Sequence, residues 1–203
     1  MNKIILTFAI FLILIGFGNY SFAFNNVENP VVVFETNLGN LVIELFPEYA
    51  TNHVMNFLSL SDTGLDEISY YDNTLFHRII PGFMIQGGDP NTIDDEPNTW
   101  GMGGPDEKLD AEFNTIKHNR GIVSMARSAD PNSAGSQFFI VHQDSPHLDG
   151  KYTAFGRLAT EESFQTLDKI AAVTTGTSDR PIDPEQVRII KTTIIATSDV
   201  SGY

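Results

Sequence analysis

Two stretches of the chain gather side chains that could act together on a ligand. The first is Phe76-His77-Arg78-Ile79-Ile80-Pro81-Gly82-Phe83-Met84-Ile85-Gln86-Gly87-Gly88-Asp89, and the second is Gly135-Ser136-Gln137-Phe138-Phe139-Ile140. Arg78 offers a planar fork of N–H donors that stays charged at any working pH. Arg78, Met84 and Gln86 occupy even positions with Pro81-Gly82 interrupting the extended run between them, which brings the three to one surface. On the second stretch Gln137 and Phe139 share one face, while Phe138 and Ile140 point to the core. Together these residues could set a cationic donor on the same surface as Met84 and Gln86. Taken singly, Arg78 also reads as a solvated arginine at a strand end, and Phe83 and Phe139 as ordinary core. Only the joint pattern favours a site.

Other chemistries fail on inspection. The chain has no cysteine, which removes disulfides, thiolate catalysis and Cys-ligated metal sites. His53, His77, His118, His142 and His147 are scattered without H-E-x-x-H or helical i, i+4 pairing, so no zinc site is expected. His77 reads as a hydrogen-bonded structural residue rather than a base. Asp89–Asp95 lacks the spacing and terminal Glu of a calcium loop. Gly101-Met102-Gly103-Gly104 is followed by no P-loop Lys-Ser/Thr, and Gly135-Ser136 forms no nucleophile elbow. Neither a metal nor a cofactor is implied.

The elements that must hold the two stretches are legible as short strands and two helices. Of 203 residues 41% are hydrophobic and 11% aromatic, enough for one buried core and too many for a disordered chain. Strand patterns fall at Val31–Glu35, Leu41–Leu45, Leu75–Ile80, Phe83–Gln86, Gly121–Ala126, Gln137–His142, Thr153–Leu158 and Val187–Ile195. Helical spacing over Pro47–Leu60 puts Ala50, Val54, Phe57 and Leu58 on one face. A second helix is expected at Ser163–Val173, with Phe164, Leu167, Ile170 and Ala171 sharing a face behind Glu161-Glu162. Helices that do not alternate with strands argue for an all-β barrel or sandwich, not a parallel sheet.

Twelve basic against 26 acidic residues give a net charge of −14, which disfavours nucleic acid and anionic lipid. The first 23 residues read as a secretory leader: Lys3, the apolar run Ile4–Phe17, then small residues at Ser21 and Ala23. As a helix that run rises about 21 Å against the roughly 30 Å of a hydrocarbon core, so cleavage after Ala23 is expected and membrane attachment only if the leader is uncleaved. The expected layout is a leader at 1–23, a linker at 24–30, one domain at 31–196 and a tail at 197–203. That places the protein outside the cytoplasm: secreted, periplasmic or at the cell surface.

The two stretches resemble the signatures of the cyclophilin family of peptidyl-prolyl cis-trans isomerases. Ser124-Met125-Ala126, Leu148-Asp149-Gly150-Lys151 and Phe155-Gly156 add to the resemblance, which runs from about Val31 to Ile195. It implies a closed eight-stranded antiparallel barrel capped by two helices, a single-domain monomer of prokaryotic type, and catalysis of Xaa-Pro bond rotation. It further implies that Arg78 is catalytic and that Phe83, Met84, Phe139 and Leu148 line a proline pocket. Gln86 would bond the substrate backbone, and Ala126 and Arg127 would present backbone groups to the residues before proline, with Gln137 beside them. Partners would be proline-containing polypeptides.

Two positions depart from the family pattern. His147 stands where many members have a Trp associated with tight cyclosporin binding, which implies weak cyclosporin binding here. Tyr152 stands where His is frequent, and its ring can still wall the pocket. The acidic stretch Asp94-Asp95-Glu96, with Trp100 as its large apolar surface, suggests a preference for basic residues ahead of proline. Two functions remain at this point: an isomerase that speeds folding of exported or surface proteins, or a non-catalytic binding module or chaperone of the same fold.

Overall fold

A computed structural model describes residues 28–64, 68–94 and 96–202. The expected leader and its cleavage site lie outside these residues. Chain order is β1 (Val31–Thr36), β2 (Gly39–Leu45), α1 (Thr51–Ser61), β3 (Arg78–Ile80), β4 (Met84–Gly87), β5 (Ile122–Met125), β6 (Phe138–Val141), β7 (Ala154–Leu158), α2 (Glu161–Ala171) and β8 (Ile189–Ile195). Every named strand pairing is antiparallel, and the eight strands follow the order β3-β4-β6-β5-β7-β2-β1-β8.

That order corrects the expectation of a closed barrel. No ladder joins β3 to β8; the two edges meet only at the Leu75–Arg188 bridge and at neighbouring backbone bonds such as Ile189 N–H to the Thr74 carbonyl, 2.8 Å. The reason is that the expected strand Leu75–Ile80 is split. Its first part leans on the approach to β8, and its second part turns away to pair with β4.

Alternation along the strands makes a large inner apolar cluster, a second one on the other face, and a small third one of Val31, Val33 and Val42. Residues facing inward, including Phe34, Phe138 and Phe155, meet Phe57 of α1 in a fully buried aromatic group. Phe34 stacks on Phe138 at 5.5 Å and Phe57 packs on Phe155 at 5.0 Å between ring centroids. Burying each such ring is worth about 2–3 kcal/mol in transfer free energy. On the other face Met84, Phe139, Val141 and Leu148 form a second cluster.

The helices close the inner cluster. α2 begins at Thr160, whose hydroxyl accepts from Ser163 N–H at 3.2 Å, and Glu161 and Glu162 favour the positive end of its dipole. Ser163 Oγ in turn accepts from Val42 N–H of β2 at 2.9 Å. Gly39 allows α2 to approach this closely: its φ is +131°, and a Cβ there would lie 2.4 Å from Thr166 Oγ1. α1 starts at Thr51, four residues later than the expected Pro47, because Ala50 is extended and its own side chain cannot cap. A distant carboxylate supplies the cap instead. Glu112 accepts from the backbone N–H of Asn52 (3.1 Å) and His53 (2.9 Å), and pairs with His53 Nδ1 at 2.6 Å.

The two ends of the described residues meet. Asn29 and Pro30, expected as linker, are tied to β2 through Glu44 (2.8 Å) and Leu45 N–H (2.9 Å). Thr197 Oγ1 donates to the Asn29 carbonyl at 2.5 Å.

Candidate functional site

The β3–β4 hairpin builds the reactive edge. Pro81 and Gly82 form its turn, Gly82 at φ +76° and Phe83 N–H donating to the Ile80 carbonyl at 3.0 Å. A residue with a Cβ is disfavoured at that positive φ, so Pro-Gly is the local instruction that aims Phe83. The register sets Arg78 opposite Gln86, and Gln86 opposite Phe139 on β6. The three side chains therefore emerge on one face, outside the inner core.

They surround a cleft of ≈ 140 Å³. Met84, Phe139 and Leu148 are buried and form its floor, and half-buried Phe83 one wall. Tyr152 forms another wall: its ring meets Phe139 edge-on at 5.6 Å, and the Arg127 guanidinium lies 4.6 Å above it. Arg127 Nη2 donates to the Lys151 carbonyl at 2.9 Å, which holds this wall in place. Arg78 and Gln86 supply the polar rim.

A second groove of ≈ 290 Å³ shares Gln86, Ala126 and Arg127 with the first, and continues along Gly101–Gly104 and Gln137. Gln86 Nε2 donates to Gln137 Oε1 at 2.9 Å, and Gln137 Nε2 donates to the Gly103 carbonyl at 2.9 Å. This chain of amides leaves the Gln86 side-chain oxygen without an internal donor among the described residues. The Ala126 N–H is spent on the Gln137 carbonyl at 2.9 Å, so that N–H is not offered to a ligand.

Three expectations need correction. His147 does not line the cleft; the short 3-10 turn Pro146–Leu148 points Leu148 inward and His147 outward, where its ring lies against Phe83 at 5.4 Å. Trp100 is not a presented apolar surface but is buried to 6% exposure, its indole N–H aimed at the Asp94 carbonyl (3.4 Å), and Met102, 78% exposed, lines the groove instead. The charged residues lining that groove are Lys108 and Arg127, and neither Asp94 nor Glu96 of the acidic stretch lines it.

His77 is buried, and burial lowers its pKa to about 4, against opposing pulls from Asp89 and from a backbone hydrogen bond at Leu75. It is neutral at pH 7 and faces away from the cleft lining.

Sequence reasoning missed the support beneath the floor. His118 stacks under Phe139 at 6.2 Å, accepts or donates to Ser124 Oγ at 3.0 Å through Nε2, and meets Asp149 Oδ1 at 3.1 Å through Nδ1. Its backbone N–H also donates to Asp149 at 2.9 Å, and this bond is the main reason the Asp149 pKa falls to about 2. Burial lowers the His118 pKa against the pull of Asp149. The Ser–His–Asp order resembles a hydrolytic triad, but Ser124 and His118 are buried and no substrate carbonyl can reach them. The group instead pins the loop carrying Leu148 and Tyr152 to β5. A signal existed in the Ser124 and Asp149 of the recognised motifs; their partner His118 lay outside both.

Comparison with known proteins agrees with this geometry. The family described as cyclophilin type peptidyl-prolyl cis-trans isomerase/CLD matches residues 31–194. A peptidyl-prolyl cis-trans isomerase-like 1 protein of Gibberella zeae is 42% identical over 169 residues, 81% of this chain and 94% of that protein. A bifunctional phosphatase/peptidyl-prolyl cis-trans isomerase of Streptococcus pyogenes serotype M6 is 41% identical over 187 residues, and the chain spans only 37% of its length. A Cryptosporidium parvum cyclophilin type isomerase, crystallised in the presence of the dipeptide Ala-Pro, aligns with a TM-score of 0.70 and 38% identity, covering 82% of this chain and 99% of that one. With the family match running from the first residue of β1 into β8, the chain belongs to the cyclophilin-type peptidyl-prolyl cis-trans isomerases.

Proposed function

We propose that this isomerase acts on exported or surface proteins, and that Arg78 drives the rotation by stabilising the twisted amide. Rotation about a peptide bond is opposed by about 18–20 kcal/mol, because the nitrogen lone pair is delocalised into the carbonyl. Before proline both isomers are populated yet exchange over tens to hundreds of seconds. When the bond twists, the nitrogen regains its lone pair and becomes an acceptor. A guanidinium N–H directed at that nitrogen favours the twist over either planar form, which is differential binding of the transition state.

The observation that carries the reading is the meeting of Arg78 with Phe83, Met84, Phe139 and Leu148 around one cleft. The apolar floor receives the proline ring and keeps water from competing for the guanidinium. Gln86 is placed to bond the substrate backbone, and the chain ahead of proline follows the groove past Ala126, Arg127 and Gln137. No step transfers a proton or needs a nucleophile. A 10⁵-fold acceleration asks for about 7 kcal/mol of this differential stabilisation. Export is supported by the leader-like Met1–Ala23, and mass spectrometry of the native N-terminus tests it.

A proline-limited peptide assay on the purified chain tests the mechanism. Arg78→Ala is expected to lower kcat/KM by about 10²–10³ while peptide binding persists. Binding without acceleration in the unmodified chain would instead mark a scaffold or chaperone.

A further inference from the structure

Among the described residues Arg78 has one polar side-chain partner. Its Nε donates to Asp179 Oδ2 at 3.4 Å, across 101 positions of sequence, and both side chains are nearly half exposed (44% and 47%). Among the described residues its two Nη groups make no hydrogen bond. The geometry points to Asp179 as a positioning residue that orients the Arg78 guanidinium, an inference that rests on Arg78 acting as the donor.

Three features of the chain support it. The contact is made to Nε, at the root of the guanidinium, so it restrains rotation of the group while both Nη groups remain free for the substrate. The carboxylate is presented by a strained turn: Ser178 and Asp179 stand consecutively at φ 62° and 59°, a conformation costly for residues with a Cβ and tolerated best by Asp, Asn or Gly. That turn is clamped at its base by Gly176 N–H to the Arg180 carbonyl (2.8 Å) and Ile182 N–H to the Thr174 carbonyl (2.9 Å). Backbone strain held in place by a rigid clamp is characteristic of segments that present a functional group. Arginine carries much rotamer freedom, and a donor already oriented loses less of it on meeting the twisted amide.

The test is a double-mutant cycle on the full chain, with kcat and KM resolved separately. Asp179→Gly keeps the left-handed turn and deletes the carboxylate; it is expected to lower kcat about threefold with KM unchanged, the size appropriate to an exposed pair. Asp179→Asn keeps an oxygen acceptor for Nε and a residue suited to the turn, and is expected to restore most of that loss. In an Arg78→Ala background Asp179→Gly should have no further effect. An equal loss in both backgrounds, an unchanged kcat in Asp179→Gly, or a rise in kcat showing that the carboxylate competes for the guanidinium would each overturn the inference. Thermal melting of Asp179→Gly shows whether the turn still folds, and loss confined to chains that melt early counts against it. If Arg78→Ala itself retains full activity, the mechanism proposed above fails, which is a distinct outcome.

Discussion

Phe138 and Phe139 are neighbours on β6 and belong to different worlds. Phe138 enters the inner aromatic cluster, where Phe34, Phe57, Tyr71 and Phe76 crowd it and its exposure is zero. Phe139 enters the outer cluster, against which half-buried Ile80, Phe83, Ile122, Ala126 and Tyr152 pack, and which leaves a cleft of ≈ 140 Å³. The two clusters have similar chemistry and differ in what covers them. Where helices seal the apolar face the result is stability; where loops cover it incompletely the result is a binding site.

Truncation on either side of the sheet is the strongest way to break this contrast. Phe138→Ala is expected to cost about 3–5 kcal/mol of stability, since the close-packed ring cannot be replaced by relaxation. Phe139→Ala, beside an existing cleft, is expected to cost about half that, while lowering kcat/KM at least as much as it lowers stability. Chemical denaturation and peptide assays on both variants decide this. Equal stability losses with full activity in Phe139→Ala would dissolve the distinction.

Acid should loosen the structure through groups between the two clusters. His77 has its folded pKa lowered to about 4 from an unfolded value of 6.5, so the unfolded chain binds more protons between those limits. Stability is therefore fully present above about pH 6.5 and is lost as pH falls through about 4, by roughly 3 kcal/mol for this group. The lowered His118 pKa acts in the same direction beneath Phe139. Denaturant melts from pH 7 to 4 measure this, and His77→Phe should flatten the dependence. Activity, by contrast, is expected to stay nearly constant from about pH 6 to 8, because no step moves a proton. A bell-shaped rate profile in that range would contradict a mechanism without proton transfer.

The outer cluster can be sharpened by filling its rim. His147→Trp adds an indole N–H and apolar area beside Phe83, and is expected to tighten cyclosporin binding about tenfold, equivalent to roughly 1.4 kcal/mol. Calorimetry on both chains reads the difference. The smallest effect concerns charge along the second groove. With Lys108 and Arg127 lining it, Glu-containing peptides ahead of proline should be turned over about twofold to fivefold faster than Lys-containing ones at low salt. Lys108→Ala should reduce that ratio, and a preference for Lys would reverse the reading of the groove.

Much of this architecture is written in local pattern. Short apolar runs between turn residues mark the eight strands, the strand period sets Phe138 and Phe139 on opposite faces, and Pro81-Gly82 marks the turn that aims Phe83. Both helices are legible from apolar spacing, although α1 starts late because its cap, Glu112, comes from about sixty positions away. Arg78, Gln86 and the floor residues Met84 and Phe139 lie within two contiguous motifs, and Leu148 in a third short one, so all could be singled out without knowing the fold. Trp100 and His147 were misplaced because composition says what a loop contains and not which way its side chains turn.

Periodicity and turn chemistry are properties of neighbouring residues, so the chain by itself determined most of its strands, its two helices and the Pro81-Gly82 turn. Tertiary structure alone decided the open edge between β3 and β8, the His118–Asp149–Ser124 support, and the approach of Asp179 to Arg78. Each of those joins groups that are remote in sequence, and polar contacts of this kind leave no periodic trace; they exist only once sheet register and loop packing have set the distances.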